Sequence, residues 1–250
     1  MARNFWDLVN KVISDSDILL MVLDSRMIDG TRNMEIEDKV VRFGKPLIYV
    51  MNKCDLVDKH YIEKIRKNTP NSIFISAKEH LGTKMLRERI MIAASKLKLK
   101  EVRVGVLGYP NVGKSSLINA LNGKRSTPTS SVSGYTKAVQ KVNVGGGIML
   151  IDTPGVIPYM ENAVNAKHSF IGTIDHIKEK DPDVVAMQLM NEFPGLLEKF
   201  YDVEINEDKD DTLEAIARKF NMVEKGNSPD IFRAARKILY DWQTGKIKNS

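Results

Sequence analysis

The chain has a single cysteine, Cys54, so neither an intramolecular disulfide nor a cysteine-based zinc cluster can form. It also lacks long apolar runs. The longest, Ile18 to Leu23, falls far short of the roughly 20 residues a membrane-spanning helix needs. With Asp7 following Phe5 and Trp6 so closely, the N-terminus does not read as a signal peptide. A cytoplasmic protein with no membrane partner is expected. Aromatic residues are few, at 7%. No acid or nucleophile partner for His168 or His176 can be identified from the sequence, so the histidines are assigned no catalytic role. Internal repeats and low-complexity tracts are missing as well, and Cys54 itself reads as a small side chain filling space.

What remains is the composition of a globular protein, 42% hydrophobic and 28% charged. A length of 250 residues suits one nucleotide-binding α/β domain and a smaller second unit. The net charge of +6 is uneven: residues 1–170 carry 26 basic and 16 acidic residues, whereas 171–250 carry 12 and 16. A basic excess of this kind suits a polyanionic partner such as RNA, and suits an ordinary solvated surface equally. The run Lys96, Lys98, Lys100 and Arg103 reads first as a solvated face.

Through residue 170, apolar strand-like runs alternate with helical patterns, which predicts βα units around a mainly parallel sheet. The expected strands are Ile18 to Leu23, Pro46 to Met51, Ser72 to Ile75, Val102 to Leu107, Val139 to Val144 and Ile148 to Ile151, the last two joined as a hairpin across three glycines. Expected helices are Met34 to Phe43, Val57 to Asn68, Thr83 to Leu97, and Lys114 to Leu121 stopped by Gly123. Beyond about Asp175 the pattern is helical only: Asp183 to Asn191, Pro194 to Phe200, Thr212 to Phe220 and Pro229 to Trp242. Ser228 before Pro229 reads as a helix start, Glu207 to Asp211 as a polar loop, and Phe232, Tyr240 and Trp242 as core. The expected domains are 1–172 and 173–250.

Four motifs carry chemistry. Gly108 to Ser115, with Gly113 and Lys114 in it, follows a strand and opens a helix. In that setting backbone N–H groups can close around phosphates, and Lys114 can bridge β- and γ-phosphate oxygens. Asn111, Val112 and Ser116 complete the phosphate-binding segment, and the Ser115 hydroxyl is placed to meet Mg²⁺. Asp152-Thr153-Pro154-Gly155 ends a strand, where Asp152 can hold Mg²⁺ through water and the Gly155 N–H can report a γ-phosphate. Asn52-Lys53-Cys54-Asp55 ends another, and its Asp55 can accept both hydrogen bonds from the guanine edge, which adenine cannot offer. Ser76-Ala77-Lys78 can offer a backbone N–H to the guanine oxygen. In an ordinary GTPase the phosphate loop comes first, but here the guanine motifs precede it.

On these residues the chain resembles the circularly permuted GTPases of the YlqF/YawG family. Leu23 to Arg26, Gly30 to Asn33, Pro229 to Ala235 and Asp241 to Ile247 extend the likeness over nearly the whole length. The resemblance implies a permuted P-loop GTPase domain with a small all-α C-terminal domain, GTP hydrolysis with Mg²⁺, and a part in assembling the large ribosomal subunit. It places the switch threonine at Thr136, with Thr127 and Thr129 as competitors, so that Ser115, Thr136 and Asp152 would hold the metal. Val156 stands where a Ras-like protein has its water-orienting glutamine, which implies slow hydrolysis without K⁺ or a partner. Asn111 matches the asparagine that helps hold K⁺ in potassium-activated GTPases. Lys114, Thr136, Gly155 and Asn111 are thus the catalytic candidates.

The expected function is a GTP-hydrolysing switch that binds RNA or a pre-ribosomal particle, as a monomer and with no DNA partner. The alternative is a GTP-dependent adaptor whose acidic helical domain binds a protein. The rotated order also makes the segment after Gly155 the connector to that helical domain, which predicts that nucleotide state shifts its placement.

Overall fold

The computed structural model describes residues 2–69, 71–123, 140–152 and 179–249. The chain divides into two compact units, residues 1–159 with 250, and residues 160–249. The expected domain boundary at 172/173, and the connector after Gly155, lie outside the described residues.

The first unit is a six-stranded sheet with helices: α1 (Ala2–Asp15), β1 (Ile18–Asp24), α2 (Ile28–Thr31), α3 (Met34–Arg42), β2 (Leu47–Asn52), α4 (Lys59–Asn68), β3 (Ser72–Phe74), α5 (Thr83–Lys96), β4 (Val102–Leu107), α6 (Lys114–Asn122), β5 (Gln140–Gly145) and β6 (Ile148–Asp152). Sheet order is β3-β2-β1-β4-β6-β5, parallel throughout except for the β5–β6 hairpin. Every residue of β1 is buried, as an interior strand of a sheet covered on both faces requires. One core cluster gathers Leu20, Val104 and Leu150 with Leu86, Ile90 and Leu117. Another gathers Leu19, Met21 and Ile151 with Val9, Val12 and Ile13 of α1. This order seats β1 between the strand leading to the guanine motif and the strand leading to the phosphate loop.

Three strands run one residue beyond their expected ends, to Asp24, Asn52 and Asp152, so each finishes on a polar residue at its C-terminal end. α4 begins at Lys59 rather than at Val57, because the Asp58 side chain accepts from the Tyr61 N–H and caps it. α6 stops at Gly123, whose φ of 65° lies in the left-handed region, as expected of a glycine C-cap.

The second unit, in its described part, is helical: α7 (Pro182–Glu192), α8 (Leu196–Tyr201), α9 (Lys209–Lys219) and α10 (Ile231–Gln243). α7 and α9 both pack on α10. Leu189, Ile216, Ile238 and Trp242 are buried in this unit. Asp241 is 1% exposed and accepts hydrogen bonds from Lys237 Nζ and Lys246 Nζ at 2.8 Å and from Tyr201 OH at 3.0 Å.

Three expectations for this unit are corrected. The last helix is capped by Asp230, whose carboxylate accepts from the Arg233 N–H at 2.8 Å. Ser228 and Pro229 lie before it in extended chain, where the Ser228 carbonyl accepts from Glu224 N and Pro229 bridges Val223. The acidic stretch at 207–211 is only partly loop: Asp208 caps α9, while Asp210 and Asp211 sit in its first turn and complement the helix dipole. Of the three aromatic residues expected in the core, Trp242 is buried, whereas Phe232 and Tyr240 are about two-fifths exposed, at 42% and 41%. They lie on the outward face of an amphipathic helix.

Candidate nucleotide-binding site

The phosphate loop joins β4 to α6. Its glycines are required by space as well as by conformation. Gly108 has φ 143°, and a Cβ there would stand 2.5 Å from the Val22 carbonyl oxygen. Gly113 has φ 100°, and its Cβ would stand 2.2 Å from Asn52 Nδ2. Asn111 also adopts the left-handed region, at φ 59°. The Lys114 ammonium is buried and donates to the carbonyls of Gly108 and Tyr109 at 2.8 Å, which draws the loop around it. Burial lowers its pKa to about 8, opposed by Asp152. Ser115 and Ser116 follow in the first turn of α6.

Asp152 closes β6 beside β4, paired in register with Val106. It is 1% exposed, and neither carboxylate oxygen has a hydrogen-bond partner among the described residues. Burial raises its pKa to about 6, with Lys114 pulling the other way. An unsatisfied buried carboxylate is costly, and its fit is to a cation or to donors brought by a ligand.

Asn52 ties three motifs together. Its Nδ2 donates to the Val112 carbonyl of the phosphate loop at 2.8 Å, and its Oδ1 accepts from the Ala77 N–H at 3.1 Å. Lys53 follows in the left-handed region at φ 61° and opens a short 3₁₀ turn, Cys54–Leu56, that carries Asp55. Asp55 is half-buried and has no hydrogen-bond partner among the described residues. In the neighbouring loop the Ser76 N–H donates to the Leu81 carbonyl, and Ser76 Oγ accepts from the Glu79 N–H. The Ser76 and Ala77 amides are therefore engaged, which leaves the Lys78 amide in that motif to meet a base. Thr136 and Gly155 lie outside the described residues, as do Thr127, Thr129 and Val156.

Sequence reasoning placed no role on Asp24, Arg26, Asn33 or Tyr109. The Asp24 carboxylate accepts from Arg26 and Lys53, and its N–H donates to Thr31 Oγ1. The Asn33 side chain caps α3 through the Ile36 N–H and donates to the Tyr109 hydroxyl at 3.1 Å, linking the first unit's early loop to the phosphate loop. An acid directly after an apolar strand and two residues before an arginine was the available signal. The expected basic run is partly paired: Arg103 makes a two-point contact with Asp17, while Lys96, Lys98 and Lys100 are exposed. Among the described residues no cluster of three or more His, Cys, Asp or Glu side chains could hold a metal by itself, and no helix is long and apolar enough to cross a membrane.

Two family models match this chain, one for RsgA GTPases over residues 38–159 and one for 50S ribosome-binding GTPases over residues 103–224. An uncharacterized GTP-binding protein of Methanocaldococcus jannaschii is 41% identical over 245 residues, covering 96% of this chain and 65% of that protein. With the guanine motifs ahead of the phosphate loop and one sheet uniting them, these matches decide the family. The chain belongs to the circularly permuted GTPases of the YlqF/YawG family.

Other relatives of this permuted GTPase are nucleolar GTP-binding protein 2 of Neurospora crassa, 33% identical over 258 residues, and of Saccharomyces cerevisiae, 30% identical over 256. This chain is covered at 98% in both, and spans 41% and 52% of their lengths. It therefore spans about two thirds of the archaeal relative, at 65%, and about half of the nucleolar ones. Among solved structures, GNP-bound YlqF from T. maritima shares the fold with a TM-score of 0.64 at 24% identity, covering 98% of this chain and 94% of that one. A GDP-bound YlqF structure gives 0.65 at 23%, covering 96% and 95%.

Proposed function

We propose that this chain binds GTP and GDP, hydrolyses GTP, and acts as a nucleotide-controlled switch on RNA or a pre-ribosomal particle in assembly of the large ribosomal subunit. The observation that carries the nucleotide reading is Asn52, whose one amide joins the phosphate loop, the guanine turn and the second base loop. A site so cross-linked recognises base and phosphates together. Asp55 would accept from the guanine edge and the Lys78 N–H would meet the guanine oxygen. The amides of Asn111 to Ser116, together with Lys114, would hold the phosphates.

Mg²⁺ fits the buried Asp152 carboxylate, which has no hydrogen-bond partner among the described residues, with Ser115 and Thr136 as the other ligands; when bound, the ion would neutralise charge on the β- and γ-phosphate oxygens. The Lys114 ammonium would exchange its two loop carbonyls for phosphate oxygens, and the anions would hold it protonated. The Gly155 N–H would sense the γ-phosphate. With Val156 unable to orient water, hydrolysis is slow unless K⁺, held with the help of Asn111, or a partner completes the site. Rates in KCl should exceed those in NaCl by about tenfold or more, and Asn111→Ser should abolish the difference. Equal rates in both salts would remove K⁺ from the reading.

The ribosomal part rests on the 50S ribosome-binding family model and on the nucleolar relatives. We place the domain boundary at 172/173 and the protein in the cytoplasm. Co-sedimentation with large ribosomal subunits, stronger with a non-hydrolysable GTP analogue than with GDP and weakened by salt, tests it. The adaptor reading has its own observation, the exposed Phe232, Phe220 and Val223 of the acidic helical unit. Capture of a protein partner, with no RNA dependence and no subunit binding, would favour it.

A further inference from the structure

The end of β1 holds two charges that the nucleotide reading leaves unused, Asp24 and Arg26, and they meet Lys53 of the guanine motif. Asp24 is 4% exposed. Its Oδ1 accepts from the backbone N–H and Nε of Arg26 at 3.1 and 3.0 Å, and its Oδ2 from Arg26 Nη2 and Lys53 Nζ, each at 2.8 Å. Arg26 is as buried as Asp24, and the Lys53 side chain is 19% exposed. Taking such a group of charges out of water is costly, and the fold does not need it, since the six preceding residues of β1 are buried and apolar.

What the cluster does hold is the guanine turn. Lys53 sits at positive φ, a conformation that non-glycine residues avoid unless something fixes it. It opens the 3₁₀ turn that carries Asp55. The strands on either side are stitched up to that point: Asp24 pairs with Asn52 in register, and the Ser25 N–H donates to the Asn52 carbonyl at 2.8 Å. The Lys53 ammonium is the next link beyond those bonds, and its anchor is the carboxylate that Arg26 holds from two sides.

We propose that Asp24, locked by Arg26, is a positioning residue for base specificity: it anchors the Lys53 ammonium, and through it the left-handed turn that presents Asp55 to guanine. This rests on the reading of Asp55 as the guanine acceptor. A nucleotide whose base lacks the exocyclic amine loses one of the two bonds to Asp55. The ratio of GDP to inosine diphosphate affinity therefore reports how well the carboxylate is aimed. Asp24→Asn keeps the shape and removes the charge that holds Lys53.

The test is displacement of a fluorescent GDP from the full chain by GDP, inosine diphosphate and ADP. In the wild type GDP should win over both. In Asp24→Asn the ratio of GDP to inosine diphosphate affinity should fall by about fivefold or more, with GDP losing more than inosine diphosphate does. Equal losses for both nucleotides, or no loss, would overturn the role of Asp24. If Asp24→Asn does not fold, Asp24→Glu carries the test, because it keeps both cations neutralised while displacing the carboxylate by one methylene. The same fall in the ratio is expected, and an unchanged ratio overturns the proposal. A wild type that binds ADP as well as GDP would instead overturn the guanine reading beneath it.

Discussion

At the scale of single residues, the most consequential is Asp152. Its carboxyl group has a folded pKa near 6, above the ordinary carboxylate value of 3.8, so the folded nucleotide-free protein takes up a proton more readily than the unfolded chain. Between about pH 4 and 6 the folded state binds more protons, and stability should fall as pH rises through that window. Asp152→Asn should abolish that dependence. Its nucleotide-free form should be more stable than wild type at pH 7 by something on the order of 1 to 3 kcal/mol, as urea unfolding at several pH values would show. The same variant should lose Mg²⁺-dependent nucleotide binding, the gain in stability and the loss of function having one cause. A second residue-scale prediction concerns Gly113. Any Cβ there drives into Asn52 Nδ2, so Gly113→Ala should break the bridge between the phosphate loop and the base turn. Nucleotide affinity should drop at least about a hundredfold, since the phosphate loop and the base turn both lose their geometry, and titration with a fluorescent GDP would measure it.

At the scale of elements, local chemistry was readable and long-range pairing was not. The phosphate loop and the guanine turn announce themselves because their constraints are carried by adjacent residues, glycines at positive φ and polar side chains at strand ends. The Asn52 to Val112 hydrogen bond spans 60 residues and depends on which strands become neighbours, which no local pattern states. α1 carries a legible signal in Trp6, Val9, Val12 and Ile13 at helical spacing, although Phe5 and Trp6 beside Asp7 at the start of the chain draw attention first to the question of a leader sequence. Ser228-Pro229 misled because a good local start signal lost to an extended bridge with Val223, leaving Asp230 to cap α10. α10 is also where an element-scale prediction belongs. Burial pushes the Asp241 carboxyl up, but hydrogen bonds from Lys237, Lys246 and Tyr201 outweigh it and hold the group below its ordinary value. That depressed pKa contributes stability which is present above the unfolded value and lost as pH falls through the folded one. Asp241→Ala should cost about 1 to 3 kcal/mol, since it leaves the buried Tyr201 hydroxyl and the partly buried Lys237 ammonium without their acceptor while the exposed Lys246 turns to water, and chemical denaturation would show it. Trp242→Ala, a cavity in the same unit, should cost more, about 3 to 5 kcal/mol.

At the scale of the whole molecule, charge decides the expected behaviour. Residues 1–170 hold the basic excess, with Lys96, Lys98 and Lys100 exposed and Arg103 neutralised by Asp17. If RNA contact uses that face, Lys96, Lys98 and Lys100 changed together to glutamine should lower subunit co-sedimentation and flatten its salt dependence by up to about three ions, leaving nucleotide binding intact. Unchanged binding and slope would assign the contact elsewhere.

The position of β1 has one more consequence, in the order of events as the chain is made. A ribosome completes β1, β2 and β3 while β4 is still to come, so the base-reading half emerges with the inner edge of its most apolar strand bare. β4 must then close on β1 from far along the chain, a late and slow kind of contact. That closure brings Gly113 and Val112 against Asn52, so the seam between β1 and β4 is the one that joins the base-reading and phosphate-holding halves of the pocket, with β5 and β6 still to follow. Nascent chains stalled before β4 should be aggregation-prone, and a guanine nucleotide gripping both halves would act as a clasp on the finished seam.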